Sequence, residues 1–209
     1  MANPAPEGDR KPISAEQVKA LREATGAGMM DSKRALEATN GDIEKAKDWL
    51  RQKGIAKAGA KSTRIAREGI IATYVHHNHQ LGVLLELNSE SDFVARNDEF
   101  RHLAHEIAVH IAAAEPRYLR REDVPQDVLN RERAIFEAQA SEQKKPPQVI
   151  EKIVQGKVND FYKREVLLDQ PFAKDDKRTV EQLLKEAIAK LGENITISRF
   201  ARFKVGEAG

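Results

Sequence analysis

The spacing of apolar residues changes along this chain, and the change limits the folds that the chain can adopt. Apolar residues recur at helical spacing through residues 14–50 and again through residues 100–114. Between these regions lie two strand-like runs, GIIATYVHH and VLLEL, joined by a turn at residues 78–82. A third strand-like segment, NITISRFARFKV, begins at Asn194. The pattern predicts an α+β protein with packed helices and a three-stranded antiparallel sheet, two of whose strands form a hairpin.

Residues 13–54 carry the start and stop signals of three short helices. Ser14 with Gln17 forms a capping-box pattern that begins the first helix, and Gly26 ends it. A second helix follows, and Asp42 caps the third. Because each helix has one apolar stripe, the segment is predicted to fold as a three-helix unit, near the lower size limit for independent folding.

The remaining segments divide the chain further. Residues 1–12 are polar and Pro-rich and are predicted to be a disordered leader. Residues 55–68 are predicted to be a basic linker, because residues 51–67 include six basic side chains and no acid. Residues 69–209 form the predicted α+β core. Within it, two charged helical segments separated by a Pro pair predict a helical hairpin arm at about residues 125–166.

Composition excludes several classes of function. The 209 residues include 35 Lys and Arg against 33 Asp and Glu, a near balance that produces no overall field of the kind used to bind phosphate or membranes. There is no Cys, which excludes disulfides and thiolate metal sites. No run approaches the roughly 18 apolar residues of a membrane span. We therefore expect a cytoplasmic protein that does not associate with membranes.

The chain also lacks the motifs that support covalent or phosphoryl chemistry. It contains no P-loop, no G-x-G-x-x-G after a strand, no G-x-S-x-G elbow and no paired-carboxylate motif. Asp92 could act as a general base, but it has no identifiable acid partner. The sequence therefore predicts a protein that is not an enzyme and uses no cofactor.

Histidines and basic residues suggest two alternative kinds of site. The six His include the run His76-His77-Asn78-His79, but alternate residues of a strand face opposite sides, and no carboxylate stands at a metalloprotease-like spacing. Turn and surface histidines are therefore favoured over a metal site. The basic residues 51–67 favour RNA binding as the alternative function, although no aromatic side chains are interleaved to stack on bases.

Two short stretches combine large apolar side chains with polar or flexible neighbours. In NSESDFVARNDEF, residues 88–100, Asp92 stands beside Phe93 between a strand and a helix start. An aromatic residue flanked by polar residues suits a protein contact better than a core. In TGAGMMD, residues 25–31, two Met follow two Gly between helices. These Met either fill the gap beneath a tight corner or form an adaptable contact surface.

Both stretches resemble the bacterial translation elongation factor Ts family. The resemblance is carried by VKALREATGAGMMDSKRALEATNGDIEKAKDWLRQKG, SDFVARNDEF, EIAVHIAAAEPRYL, LLDQPF and KLGENITISRF, and it covers about residues 13–205. It implies a guanine-nucleotide exchange factor for elongation factor Tu. The fold it implies is a ubiquitin-associated-like three-helix module, a linker and an α+β core with a helical arm. The expected partner is elongation factor Tu in its GDP-bound and nucleotide-free forms, and no direct contact with nucleic acid is expected.

The resemblance also implies roles for particular residues. One loop would enter the nucleotide-binding domain of elongation factor Tu and disturb the magnesium site there, so that GDP is released. The residues of that loop are Ser91, Asp92, Phe93 and Val94. The three-helix module would dock on the same domain through a second set of residues, namely Thr25, Gly26, Met29 and Met30.

Two features depart from the family pattern. Ser91 stands where Thr is usual, a change that keeps the hydroxyl. The chain has one set of hairpin, helix and closing strand, whereas long family members carry two copies of the core half. A three-stranded sheet with two open edges, and Phe200 on an otherwise polar strand face, would favour association. We therefore expect a non-covalent homodimer.

Overall fold

The computed structural model describes residues 12–61 and 63–207, which divide into two compact units. The first comprises the chain up to Thr63 together with Lys185–Gly192, and the second comprises Arg64–Leu184 and the residues from Glu193 on. Residues 1–11 of the predicted leader lie outside the described residues. In the part of the chain that is described, no helix combines the length and apolar character needed to cross a membrane.

The described residues form eight α-helices and five strands. The helices are α1 (Ala15–Thr25), α2 (Met29–Ala38), α3 (Ile43–Lys61), α4 (Asp92–Ala95), α5 (Asp98–Ala114), α6 (Gln126–Ser141), α7 (Pro147–Glu165) and α8 (Val180–Leu191). The strands are β1 (Glu68–Val75), β2 (Leu81–Ser89), β3 (Pro171–Phe172), β4 (Asp175–Thr179) and β5 (Thr196–Lys204). The predicted α+β class is confirmed, including its three N-terminal helices and its helical hairpin.

The first unit is built on α1, α2 and α3, whose ends follow the predicted signals. Ser14 and Gln17 form both hydrogen bonds of the capping box, and Gly26 ends α1 with a φ of 67°, in the left-handed region that favours glycine. The Asp42 side chain accepts a hydrogen bond from the Lys45 N–H at 3.0 Å. Buried apolar residues from the three helices form one core, namely Val18, Leu21, Ala35, Leu36 and Ala46.

Helix α3 extends to Lys61 and so continues past the predicted boundary at Gly54. Its later turns contain Ala and Lys, which are good helix formers, and no Pro. The C-terminal part of α8 belongs to the same unit, and a Cβ on Gly54 would lie 3.0 Å from that of Ala189. A glycine therefore permits this close helix approach and does not end the helix. The first residues of the predicted linker are helical, and its Ser62 lies outside the described residues.

The second unit contains an antiparallel sheet in the order β1-β2-β5. Helix α5 packs on one face of this sheet and buries a stripe of apolar side chains against it. From α5 these are Phe100, Leu103, Ile107 and Ile111, and from the strands they include Val83, Leu85, Leu87 and Ile197. The short pair β3-β4 was not predicted, because two residues of β3 and the polar DDKRT of β4 carry no strand pattern.

The opposite face of the sheet leaves apolar side chains exposed. They are Ile71, Val75, Leu84 and Phe203. The expectation that Phe200 lies on an open face is wrong. Phe200 pairs with the buried Leu85 and is itself partly buried. A bulge near Ser198 shifts the register of β5, so Ile197 and Phe200 share the α5 side and Phe203 takes the open side.

Helices α6 and α7 form the predicted helical hairpin, and apolar side chains pack between them. Ala140 from α6 is buried with Val154 and Val158 from α7. At the base of the hairpin, Phe161 packs with Val124 and Val166 in a second cluster. The two helices therefore stabilise each other along their length, as amphipathic helices without a wider core must.

Candidate functional site

Residues 91–95, which we call the Phe93 turn, lie between strand β2 and helix α5. Ser91 has extended backbone angles, and its Oγ accepts a hydrogen bond from the Val94 N–H at 3.3 Å, which starts the single turn of α4. Asn97 then caps α5 by accepting from the Glu99 N–H at 2.8 Å. Two N-caps this close together make the chain turn twice, so that the short helix α4 projects between them.

The side chains of the Phe93 turn point in opposite directions. Phe93 is 80% exposed, the largest exposure among the large apolar residues of the described chain. Val94 and Ala95 are buried, and Phe100 in the next helix is completely buried. Of the four predicted loop residues, Val94 therefore anchors the turn from inside, while Phe93 is displayed to solvent. An exposed aromatic side chain on an ordered element is typical of a protein contact site.

Asp92 lies on the same turn and is also open to solvent. One of its carboxylate oxygens, Oδ2, accepts a hydrogen bond from Arg96 Nη2 at 2.8 Å, one helical turn later. Both side chains are well exposed, so the pair contributes little to stability. The Asp92 carboxylate can therefore exchange this partner for donors on another protein at small cost.

Contacts from a distant segment hold the Phe93 turn in place. The Ser91 hydroxyl donates to Glu193 Oε1 at 2.6 Å, and the Ser91 N–H donates to Glu193 Oε2 at 3.0 Å. In return, Glu90 Oε1 accepts from the Asn194 N–H at 2.6 Å. The Ser89 hydroxyl donates to the Ser91 carbonyl at 2.8 Å. Residues 90–91 and 193–194 are thus joined by carboxylates supplied from both sides.

Sequence reasoning did not identify Glu193 as a site residue. It lies 102 positions from Ser91, and no local pattern links the two. The one available signal was its place in KLGENITISRF, a stretch that carried the family resemblance.

The second predicted contact region lies at the start of α2 in the first unit. Met29 and Met30 are each 61% exposed, which favours a contact surface over a gap-filling role. Thr25 has a structural role, because its hydroxyl donates to the Leu21 carbonyl at 2.6 Å and accepts from the Ala27 N–H at 3.3 Å. Gly26 provides the left-handed residue that ends α1. Thr25 and Gly26 therefore shape the corner, and the two Met supply its apolar surface.

His110 on α5 is an exception to the expectation of surface histidines. It is buried, and its Nδ1 accepts from the Ala173 N–H at 3.1 Å. The proton must then lie on Nε2, which donates to Gln170 Oε1 at 3.0 Å. Burial lowers the pKa of His110, while the hydrogen bond to Gln170 acts in the opposite direction. Within the described residues, no group of three or more His, Asp or Glu side chains is arranged to hold a metal ion.

Some of the basic residues considered for RNA binding already have partners. Within the first unit, Arg51 Nε lies 2.6 Å from a carboxylate oxygen of Glu186. Lys61 Nζ donates to the Gly192 carbonyl at 2.6 Å. RNA binding by this segment stays a prediction, with fewer available cations than the sequence alone suggests.

Comparison with known proteins gives a consistent result. The family model described as "Elongation factor TS" matches residues 15–207. An elongation factor Ts from Syntrophomonas wolfei is 57% identical over 195 residues, which cover 93% of this chain and 91% of the relative. The corresponding protein of Thermosipho melanesiensis is 56% identical, with 93% and 100% covered. That of Fervidobacterium nodosum is 55% identical, with 93% and 99% covered.

Proposed function

We propose, from the premise that this chain belongs to the elongation factor Ts family, that the Phe93 turn is the element that releases nucleotide from its partner. Membership of the family implies a nucleotide exchange factor for elongation factor Tu in translation elongation. Such a factor is not an enzyme in the usual sense, because it changes the affinity of its partner for GDP and makes or breaks no covalent bond. Its residues need to bind elongation factor Tu and displace the groups that hold GDP, and this requires no catalytic acid or base.

One observation carries the proposal, namely the 80% exposure of Phe93 on a turn that hydrogen bonds fix in place. A large aromatic side chain held in water is unfavourable unless a partner buries it. Buried aromatic anchors commonly dominate the energy of a protein interface. Phe93 would enter the nucleotide-binding domain of elongation factor Tu and displace the segments that hold the nucleotide.

Asp92 would act beside Phe93 through its charge. The magnesium ion in a GTP-binding protein neutralises phosphate oxygens, so displacing the ion weakens the hold on GDP. A carboxylate brought near that site competes for the same cationic and N–H donors. Because the two bound states oppose each other, GDP must weaken binding of this chain by the same factor by which the chain weakens GDP.

Met29 and Met30 would supply affinity from the first unit. Met side chains are flexible and polarizable, which lets them fit an irregular partner surface. Thr25 and Gly26 would contribute by keeping this corner in shape.

The decisive experiment mixes the purified chain with elongation factor Tu carrying a fluorescent GDP, and follows GDP release against excess unlabelled GDP. We expect the release rate to rise with chain concentration and reach a plateau. If the mechanism acts through magnesium, prior chelation of the ion should reduce the acceleration. An unchanged release rate at every chain concentration would contradict exchange activity. An acceleration that chelation leaves intact would contradict the magnesium step alone.

We also propose that the chain forms a homodimer through the open face of its sheet. This face presents Ile71, Leu84 and Phe203 around the ion pair of Glu86 and Arg199, whose side chains lie 2.7 Å apart. The pair with Arg199 is also the main reason that the pKa of Glu86 is lowered. A face with apolar residues and both charge signs can pair with its own copy across a two-fold axis, as stacked sheets do.

Light scattering tests this dimer directly. We expect twice the 23.4 kDa mass of one chain for the unmodified protein, and the mass of one chain after Phe203→Lys. Phe200→Leu is the matched control, because it changes an aromatic residue of the same strand on the α5 side and should stay dimeric. If the unmodified protein keeps a mass of 23.4 kDa at every accessible concentration, it does not form the dimer.

A further inference from the structure

We propose that Glu193 is the positioning residue of the Phe93 turn. Its carboxylate sets the direction in which Phe93 is displayed. The effect on nucleotide release rests on the function proposed above, whereas the effect on the turn itself does not. Glu193 does not itself need to touch the partner for this role.

The carboxylate of Glu193 accepts hydrogen bonds from one residue of the turn, Ser91. Both oxygens of Glu193 are used, one by the hydroxyl and one by the N–H of Ser91. Two hydrogen bonds from one residue to one carboxylate fix both distance and orientation. A single bond would leave Ser91 free to rotate about it, so the two-point contact determines where α4 begins.

The contact is transmitted to Phe93 through the N-cap. The Ser91 hydroxyl donates its proton to Glu193, and the same oxygen accepts from the Val94 N–H at 3.3 Å. Because the hydroxyl has one proton, the bond to Glu193 fixes which lone pair faces Val94. Helix α4 has only four residues, too few to be stable on its own. Its geometry, and with it the direction of the Phe93 side chain, depends on this cap.

Glu193 is itself held on both sides. Gly192 has a φ of 83°, which favours glycine and turns the chain at the end of α8. On the other side, Asn194 is buried and donates from Nδ2 to the Arg64 carbonyl at 2.6 Å. Arg64 also pairs with Glu90, at 3.6 Å from Nη1 to the carboxylate. The carboxylate of Glu193 therefore reaches Ser91 from a fixed backbone, as a positioning role requires.

A purely structural role is the competing explanation, and a matched control separates the two. Glu106 on α5 is also a partly buried carboxylate, and it pairs with Lys174 at 2.7 Å. Its Oε1 also accepts a hydrogen bond from Lys174 Nζ at 2.8 Å, so its partner lies between β3 and β4 and not in the Phe93 turn. Glu106→Ala should therefore show only the effect of losing one partly buried carboxylate contact. Glu193→Ala should show a comparable loss and should also change the geometry of the Phe93 turn.

Two measurements on the full chain test the proposal. The first is nucleotide release from elongation factor Tu for Glu193→Ala, Glu193→Gln and Glu106→Ala. We expect the maximal rate to fall about tenfold for Glu193→Ala, since two charge-assisted hydrogen bonds are lost. Glu193→Gln keeps one acceptor oxygen and should retain an intermediate rate. Glu106→Ala should keep the unmodified rate.

The second measurement reports the turn without the partner. The chain has no Cys, so Phe93→Cys accepts a single nitroxide label. We expect its electron paramagnetic resonance spectrum to show an ordered label with Glu193 present and a mobile one after Glu193→Ala. Glu106→Ala should leave the spectrum unchanged.

The outcomes separate this proposal from the proposed function. If the unmodified chain fails to release nucleotide, the proposed function falls, and the nitroxide spectra still decide the positioning role. If Glu193→Ala leaves the spectrum unchanged, Glu193 does not position the turn, whatever happens to the rate. If the label becomes mobile and the release rate stays at the Glu106→Ala value, the link from position to exchange is overturned.

Discussion

The Phe93 turn and the start of α2 both present large apolar side chains to solvent, but they are held in different ways. Phe93 stands on a turn fixed by its own cap and by the carboxylate of Glu193. Met29 and Met30 open a helix whose N-cap, Gly28, provides no side-chain hydrogen bond. A Cβ placed on Gly28 would meet nothing within 4 Å. One surface is therefore rigid and aromatic, and the other is open and made of flexible thioethers.

This difference indicates different tasks. Displacing part of a partner requires a side chain that does not yield, and fixed aromatic residues lose little conformational entropy when they bind. Flexible Met side chains lose more entropy, but they fit surfaces whose shape varies. We expect the Phe93 turn to control the maximal rate of nucleotide release. We expect Met29 and Met30 to control the concentration of this protein at which release becomes half-maximal.

The strongest test of this division is Phe93→Ala. Losing a hot-spot aromatic residue costs about 2 kcal/mol or more, so stimulated GDP release should fall about thirtyfold. Because Phe93 is exposed, the melting temperature should hardly change. Phe100→Ala is the matched control, since removing the buried Phe100 ring should lower the free energy of unfolding by about 3–5 kcal/mol. If Phe93→Ala lowers the melting temperature as Phe100→Ala does, Phe93 belongs to the core.

The second test replaces both Met29 and Met30 by Ala. The chain concentration that gives half-maximal release should rise about tenfold, because two exposed apolar contacts of roughly 0.5–1 kcal/mol each are lost. The plateau rate should remain. Point changes are preferable to removing residues 1–54, because that cut would end within α3. A lower plateau with an unchanged half-maximal concentration would reverse the roles that we assign to the two regions.

A smaller effect is expected for Asp92→Asn, which keeps shape and removes charge. Release should slow by about fivefold, the scale of one lost charge-assisted hydrogen bond. Arg96→Gln is the control, because it removes the same ion pair from the other side and leaves the Asp92 charge. If both variants slow release equally, the ion pair within the turn matters and the charge offered to the partner does not.

The smallest expected effect is a difference between the two units in how their stability depends on pH. His110 is buried and neutral, with a pKa below the ordinary value of 6.5, so the unfolded chain binds a proton more readily than the folded one. The stability from His110 is complete above pH 6.5 and decreases as the pH falls below it. The limiting slope is about 1.4 kcal/mol per pH unit. All six His lie in the second unit, so the first should not share this dependence.

Two intrinsic probes make this measurement possible. Trp49, the one Trp of the chain, reports the first unit, and the three Tyr lie in the second. Thermal unfolding between pH 7.5 and 5.5 should show a stronger pH dependence in the Tyr signal than in the Trp signal. His110→Gln should reduce the dependence of the Tyr signal. Equal pH dependence in the unmodified chain and this variant would exclude His110 as its source.

Local signals in the sequence were sufficient for most of the fold. Capping residues such as Ser14 and Asp42 start helices where predicted, because a cap acts on backbone groups three residues away. The hairpin of β1 and β2 follows from alternation and a turn. The exposed position of Phe93 also agrees with its polar neighbours.

Features that depend on long-range packing could not be predicted in the same way. The bulge near Ser198 reverses the faces of the later residues of β5, so Phe203 replaces Phe200 on the open side. Gly54 lies inside α3 and does not end it, and a Cβ there would come within 3.0 Å of the Cβ of Ala189. The buried His110 bonds to Gln170 and Ala173, which lie 60 and 63 positions away in the chain. In each case the contacting residue is distant in the sequence, and no local sequence pattern identifies it.

The contact between Ser91 and Glu193 also has a consequence for biosynthesis. These residues are 102 positions apart, and at about 5–20 residues per second the ribosome needs roughly 5–20 s to make the intervening chain. During that interval β1 and β2 can pair, but β2 lacks β5 on its other edge. We therefore expect a nascent chain to display Phe93 before its turn is fixed, and to become competent for nucleotide release only after Glu193 and the last strand have been made.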